Sequence, residues 1–139
     1  MREWLVMLMM SALAMTGCAH MTAQDQDFLL EQAVMRTVEG SGQPDQRAHQ
    51  IHLAVLVVDG ALAPGETLTS IRQEAFSWIN AQAWSEADKS AMRYVVSRAL
   101  AVADIEVGWP LDEALLQEIR HATDHVRTTL ALLGYSFDG

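Results

Sequence analysis

Apolar residues recur at three- and four-residue steps near the end of the chain, and this spacing is the strongest constraint on the fold. The apolar positions of this stretch are Leu115, Ile119, Ala122, Val126, Leu130 and Leu133. On a helical wheel of about 100° per residue they lie within a sector of about 80°, as the buried face of an amphipathic helix requires. Pro110 precedes the stretch and Gly134 follows it. We therefore predict a helix over about 111–133.

The preceding hundred or so residues carry similar patterns, and they predict four further helices. Gly40 and Gly108 are stop signals, and Ser85 stands three residues before Asp88 in a helix-capping arrangement. The predicted helices cover about 26–39, 45–62, 67–81 and 86–107. We expect an all-α fold, a single small bundle of about five helices over 27–139.

The second of these segments is ambiguous, because IHLAVLVV is a nearly continuous apolar run. Such a run is typical of a buried strand or of a buried helix, and length separates the two. The apolar positions extend from Ala48 to Leu62, which is long for a strand, so we favour a central helix. As a strand it would turn at Asp59-Gly60 and pair with a weak segment that contains Pro64.

The first residues of the chain have the layout of a signal peptide. Trp4 to Met15 form an apolar run of about a dozen residues, whereas a membrane-spanning helix needs about 20. Two small residues, Thr16 and Gly17, then precede Cys18, the one cysteine in the chain. Small residues after an apolar run are typical of a cleavage site.

The stretch Met15, Thr16, Gly17, Cys18 resembles the lipobox of bacterial lipoproteins, in which an aliphatic and two small residues precede a cysteine. The resemblance implies cleavage between Gly17 and Cys18. It also implies a diacylglycerol thioether on Cys18 and a fatty acyl group, such as palmitate, on its new amino group. Several acyl chains anchor a protein stably. Residues 1–17 would then be the signal peptide and 18–26 an acylated tether.

Two other interpretations of this region remain open. The first is an ordinary cleaved signal peptide, and the second is a cytosolic protein that starts at Met21. The lipoprotein interpretation accounts better for a solitary cysteine, because acylation removes a reactive thiol that has no partner. The residue directly after Cys18 is Ala19, whereas some inner-membrane lipoproteins carry Asp at this position. In this respect the sequence resembles lipoproteins that are sorted to the outer membrane. We expect a periplasm-facing protein anchored in the outer rather than the inner membrane.

The charge of the chain excludes one class of partner. The formal net charge is -9, and removing residues 1–17 leaves it unchanged because Arg2 and Glu3 are lost together. An acidic surface repels phosphate backbones, since nucleic-acid affinity comes largely from Lys and Arg. We expect no nucleic-acid partner. With one cysteine, the fold must rely on apolar packing rather than on intramolecular disulfides.

The histidines suggest a metal-binding alternative. Glu118, His121 and His125 follow at three- and four-residue steps on the last predicted helix, and His49 and His52 are neighbours on the second. Two such pairs on facing helices are suitable ligands for zinc or copper. The helical wheel, however, turns His121 and His125 largely toward solvent. We expect no metal or other cofactor apart from the lipid, with these five residues as the candidates for an alternative function.

Motifs of catalysis are missing from the sequence. It contains no G-x-S-x-G, no H-E-x-x-H and no phosphate-binding glycine loop. Trp78, Trp84 and Trp109 each stand near a predicted helix end, where aromatic rings either line a groove or, as we favour, close the end of a bundle. We expect a protein that is not an enzyme.

The body of the chain resembles small helical proteins of unknown function from tailed phages and prophages. The features that carry this resemblance are R-A-x-x-I at Arg47, Ala48 and Ile51, and S-E-A-D from Ser85. We expect a non-catalytic interaction or structural module of the cell envelope, which binds an envelope protein or itself. The resemblance implies the alternative of a phage lysis protein, similar to a spanin, or an exclusion lipoprotein.

Overall fold

Five α-helices make up most of the computed structural model, which describes residues 23–101 and 110–137. We number them in chain order as α1 (Ala23–Glu39), α2 (Pro44–Ala61), α3 (Leu68–Asn80), α4 (Glu86–Leu100) and α5 (Glu113–Leu132). The described residues contain no strand, and Thr67 and Pro110 form an isolated bridge. The prediction of a small all-α bundle is confirmed.

Some predictions fall on residues outside these ranges. They are the signal peptide, the lipobox with Cys18, and the end of the fourth helix beyond residue 101. Within the described residues, α1 begins at Ala23, three residues earlier than predicted. No helix of the described part is both long and apolar enough to span a membrane.

Side chains just outside the helices define where three of them begin. Thr67, Ser85 and Asp112 are the N-cap residues of α3, α4 and α5, and each accepts a hydrogen bond from the backbone N–H three residues later. Such a bond satisfies a donor that has no partner within the helix. Pro44 lies in the first turn of α2 and marks its start. The backbone N–H that proline lacks would have no partner within the helix at this position. Local sequence therefore determines these boundaries.

The ambiguous apolar segment is a helix, α2, and it packs against all four other helices. A helix covered on several sides needs apolar residues around most of its circumference. This explains why its sequence shows an almost continuous apolar run rather than a narrow stripe. Its buried residues are Ala48, Gln50, Ile51, Ala54, Val55, Val58 and Ala61.

The predicted apolar stripe of α5 is correct except at its two ends. Ile119, Ala122, Val126 and Leu130 are buried, whereas Leu115 and Leu133 are half-buried. Leu116 is fully buried in place of Leu115. The stripe shifts because α5 packs against α1, α2 and α4, and a helix with three neighbours does not bury a single straight face.

Contacts between helices define the two ends of the bundle. Asp27 lies beside His121 and Glu31 beside His125, so α1 and α5 run parallel. Asp59 near the end of α2 contacts Thr123, whereas the earlier His52 contacts Phe137 beyond the end of α5, so α2 runs antiparallel to them. We call the end that contains 23–27, 62–67 and 110–113 the N-terminal pole. The opposite end, which contains 40–43, 81–85 and 133–137, is the C-terminal pole.

A partly buried charged network joins α2 to α4 near the C-terminal pole. Arg47 donates to Asp88 over 2.7 Å, Gln50 donates to the other carboxylate oxygen over 3.1 Å, and a second Arg47 nitrogen reaches the Thr37 carbonyl at 3.3 Å. The Arg47 and Asp88 side chains are 13% and 17% exposed. Burial raises the pKa of Asp88, but hydrogen bonds from Gln50 and Arg47 and the Arg47 charge outweigh it, so the pKa is lowered.

We predict that Asp88→Asn lowers the free energy of unfolding by about 1–3 kcal/mol, because it leaves the mostly buried Arg47 charge without its counterion. Urea unfolding followed by circular dichroism measures the change. Glu86→Gln is the matched control: Glu86 lies in the same first turn of α4, but its ion pair with Arg93 is solvent-exposed. We expect a much smaller effect there.

The same variant has a defined pH dependence. The pKa of Asp88 is lowered from 3.8 in the folded state, so its stabilising contribution is complete above about pH 3.8 and is lost as pH falls through the lower folded value. The stability difference between the parent chain and Asp88→Asn should therefore shrink below that pH. A constant difference down to strong acid, or equal effects of Asp88→Asn and Glu86→Gln, would contradict this account.

Candidate functional site

The five candidate metal ligands separate into groups on different surfaces. His49 and His52 face the C-terminal tail, whereas His121 and His125 face α1. Glu118 lies one turn before His121 on α5 and is exposed. Among the described residues, which include all five candidates, no three His, Cys, Asp or Glu side chains are arranged to hold a metal ion. The structure therefore does not bring the two histidine pairs together.

His121 and His125 each lie beside a carboxylate of α1. The His121 Nε2 atom lies 3.1 Å from Asp27 Oδ2, and the His125 Nε2 atom lies 3.7 Å from Glu31 Oε2. The His121 side chain is 68% exposed, as the helical wheel predicts, but that of His125 is 24% exposed. Because α1 covers this flank of α5, His125 is more buried than a single-helix projection indicates.

A cleft of about 150 Å³ lies between α2, α5 and the C-terminal tail. We call it the C-terminal cleft. Its lining residues are His52, Arg127, Leu130, Ala131, Tyr135, Ser136 and Phe137. The volume is below the range of about 300–1,000 Å³ that is usual for small-molecule sites, so this cleft accommodates a single side chain or a small group.

The tail forms one wall of the C-terminal cleft because the chain turns at Gly134. This glycine has a φ of 97°, which is readily available to glycine, and the next N–H, of Tyr135, donates to the Leu130 carbonyl over 2.9 Å. The tail then runs back over α2. The Phe137 ring stacks on His52 at 4.5 Å and lies 5.6 Å from the His49 ring.

The charge of Arg127, at the base of the cleft, is already balanced. Arg127 pairs with Asp59 of α2 and with Asp124 on its own helix, and Thr123 donates to Asp59 over 2.7 Å. Two carboxylates therefore compete with any anion that would bind the guanidinium. Burial lowers the pKa of His52, and the charges of Arg127 and His49 lower it further, so neutral imidazole is favoured in the cleft.

The start of the tail is tied to α2 by a second contact. Burial raises the pKa of Tyr135, and a hydrogen bond to Asp45 and the charge of that carboxylate raise it further. The phenol thus remains a hydrogen-bond donor to the first turn of α2 over a wide pH range. Sequence reasoning missed Arg127, Tyr135 and Phe137, and the aromatic pair just after the Gly134 stop signal was the feature that could have indicated a packed tail.

Two tryptophans close the same pole of the bundle. Trp78 and Trp84 are half-buried against the core, with ring centroids 5.4 Å apart in an edge-to-face arrangement. They join the end of α3 to the start of α4, as expected of aromatic residues that plug a bundle end. Trp109 lies outside the described residues.

The C-terminal cleft combines aromatic, cationic and polar side chains. It presents an aromatic wall, a paired guanidinium, an uncharged imidazole and hydroxyl groups. This set suits an apolar or aromatic group that has one hydrogen-bonding atom. Comparisons of the chain with family models, with curated proteins and with solved structures find no match.

We predict that Phe137→Ala raises the pKa of the His52 ring toward its ordinary value of 6.5, because it removes the ring that stacks on the imidazole and shields it from water. Proton NMR titration of the histidine ring signals measures this change. Leu132→Ala is the control, since Leu132 is 77% exposed near the same end of α5 and is expected to leave the His52 pKa unaltered.

The lowered pKa of His52 also predicts how stability depends on pH. The unfolded chain binds this proton more readily than the folded chain, so the stabilising contribution is complete above about pH 6.5 and declines as pH falls through the lower folded value. Phe137→Ala should weaken this decline. A His52 titration midpoint at or above 6.5 in the parent chain would show that the tail does not cover the ring.

Proposed function

We propose that the protein is a lipid-anchored lipoprotein of the bacterial cell envelope, attached through Cys18 and acting as a non-catalytic interaction module. The observation that carries this proposal is the apolar run that ends in Met15, Thr16, Gly17 and Cys18, together with the lack of any other cysteine. Cys18 would bear the diacylglycerol and N-acyl groups. Residues 1–17 would be removed.

The fold is compatible with a folded domain that does not depend on the signal peptide or the anchor. Each residue of the core that the structure describes lies at or after Leu30, so the bundle retains these core contacts when residues 1–17 are cleaved. Its hydrophobic core is a cluster of packed apolar side chains, and the described residues contain no disulfide. A domain of this kind is compatible with a compartment reached by secretion and with a cysteine reserved for lipid.

We infer that the domain binds another envelope protein or a second copy of itself. The domain would face the periplasm, and its lipid anchor would lie in the outer membrane. The net charge of -9 supports a protein partner over nucleic acid. The C-terminal cleft supports contact over catalysis, since its one guanidinium is paired with carboxylates. The phage and prophage alternative stays a prediction from sequence, and a position beside endolysin and holin genes would favour it.

We predict that Cys18→Ser moves the protein from the membrane fraction to the soluble fraction, and that globomycin makes the unprocessed precursor accumulate. The physical reason is that each buried acyl methylene contributes about 0.8 kcal/mol of membrane affinity, all of which the variant loses. Cell fractionation, immunoblotting and mass spectrometry of the N-terminal peptide measure the outcome.

Met15→Leu is the matched control for this experiment, because it changes a neighbouring lipobox position while leaving the acylated sulfur in place. It should be processed at least as well as the parent chain. Membrane attachment that survives Cys18→Ser, combined with processing that globomycin does not affect, would refute the lipid anchor. Purification of each separated membrane then distinguishes outer from inner attachment.

A further inference from the structure

The short distance between Cys18 and the first helix limits how the bundle can sit on a membrane. Because α1 begins at Ala23, five residues along the chain from Cys18, the connection spans at most about 18 Å. The sequence alone predicted a longer tether, to residue 26. The 17 residues of α1 rise by about 25 Å from the N-terminal pole toward the C-terminal pole. The connection is therefore shorter than α1, and a bundle anchored at Cys18 cannot stand on its C-terminal pole.

We propose that the N-terminal pole faces the lipid headgroups and that the C-terminal pole, with its cleft, points away from the bilayer. This orientation rests on the lipid anchor of the proposed function. Three segments form the membrane-facing surface: the start of α1, the α2–α3 connection, and the residues before α5. The last two are joined, since Leu111 donates to the Glu66 carbonyl over 2.8 Å and Gly65 donates to the Leu111 carbonyl over 3.4 Å.

The sides of the bundle give no reason for it to lie flat on the membrane. Four large apolar side chains of the described residues are exposed, and each belongs to a different helix: Phe28, Leu56, Tyr94 and Leu132. None of these helices therefore offers a continuous apolar stripe of the kind that inserts into an interface. The tethered end is the part of the bundle that remains in contact with the surface.

The chemistry of the pole favours one kind of lipid surface. The three segments contain Asp25, Asp27, Glu66, Asp112 and Glu113, and no Lys or Arg. Carboxylates are repelled by anionic lipids but are compatible with zwitterionic headgroups, whose outermost group is a cationic amine. We therefore assign the pole to a zwitterionic phospholipid layer.

The experiment imposes the anchor chemically, so that it does not depend on processing in the cell. The chain from Cys18 is coupled through its single thiol to maleimide lipid in phosphatidylcholine vesicles that contain a headgroup spin label. Two tryptophan variants are compared in a Trp109→Phe background: Ala63→Trp at the N-terminal pole and Gln43→Trp at the C-terminal pole. Both positions are exposed and lie outside the helices, and circular dichroism checks that each variant is helical.

We expect the spin label to quench the added tryptophan emission of Ala63→Trp at least about twofold more than that of Gln43→Trp. The reason is that the 13 residues of α3 separate the poles by about 20 Å, whereas contact quenching is short-ranged. The native Trp78 and Trp84 should be unquenched. Glu66→Trp replaces Ala63→Trp if the latter fails to fold.

Equal quenching of the two variants, or stronger quenching of Gln43→Trp, would overturn the proposed orientation. Adding anionic phosphatidylglycerol should reduce the quenching of Ala63→Trp, and an increase would overturn the assigned surface chemistry. Failure of the lipid anchor is detected separately, by Cys18→Ser fractionation in cells. A chain that is not acylated in cells would refute the proposed function, whereas the vesicle result tests separately how an anchor at Cys18 orients the bundle.

Discussion

The burial of α2 is the constraint on which the arrangement of the bundle depends. Its apolar residues occupy so much of its circumference that the other four helices must cover it, and each of them does. Packing of Ile51, Ala54 and Val58 supplies the centre of the core, where these side chains are at most 1% exposed. A nearly continuous apolar run in water would otherwise be a strong aggregation hazard. Covering it therefore organises the whole fold.

Charged side chains then determine how the covering helices align with α2. Two of the few basic residues, Arg47 and Arg127, pair across helices with Asp88 and Asp59. Both pairs are partly buried, so breaking one partner costs more than it would on an open surface. The remaining acidic surplus faces outward, where it favours solubility and repels anionic partners.

The two poles of the bundle differ in chemistry in a way that suits a tethered protein. The N-terminal pole is acidic and carries no Lys or Arg in its defining segments. The other pole holds the aromatic residues Trp78, Trp84, Tyr135 and Phe137 and the C-terminal cleft. If a short lipid anchor holds the first pole at a membrane, the second pole and its cleft are presented to whatever the protein binds.

The positions and boundaries of the helices were largely determined by the sequence alone. Apolar periodicity, the cap at Ser85 and the stop at Gly134 are local signals, because a helix satisfies its hydrogen bonds within a few residues. Length alone also resolved the ambiguous apolar run as a helix, α2. The resemblance of Met15, Thr16, Gly17 and Cys18 to a lipobox likewise rests on a local pattern, so it needs no knowledge of the fold.

The partners of the side chains were decided by tertiary structure. The spacing of Ser85 and Asp88 predicted the cap but not that the Asp88 carboxylate binds Arg47 of another helix. The histidine spacing suggested one metal site, whereas in the packed bundle His121 lies beside α1 and His52 lies against the tail. Periodicity tells which face of a helix is buried but not which neighbour covers it, since that choice depends on contacts between residues far apart in the chain.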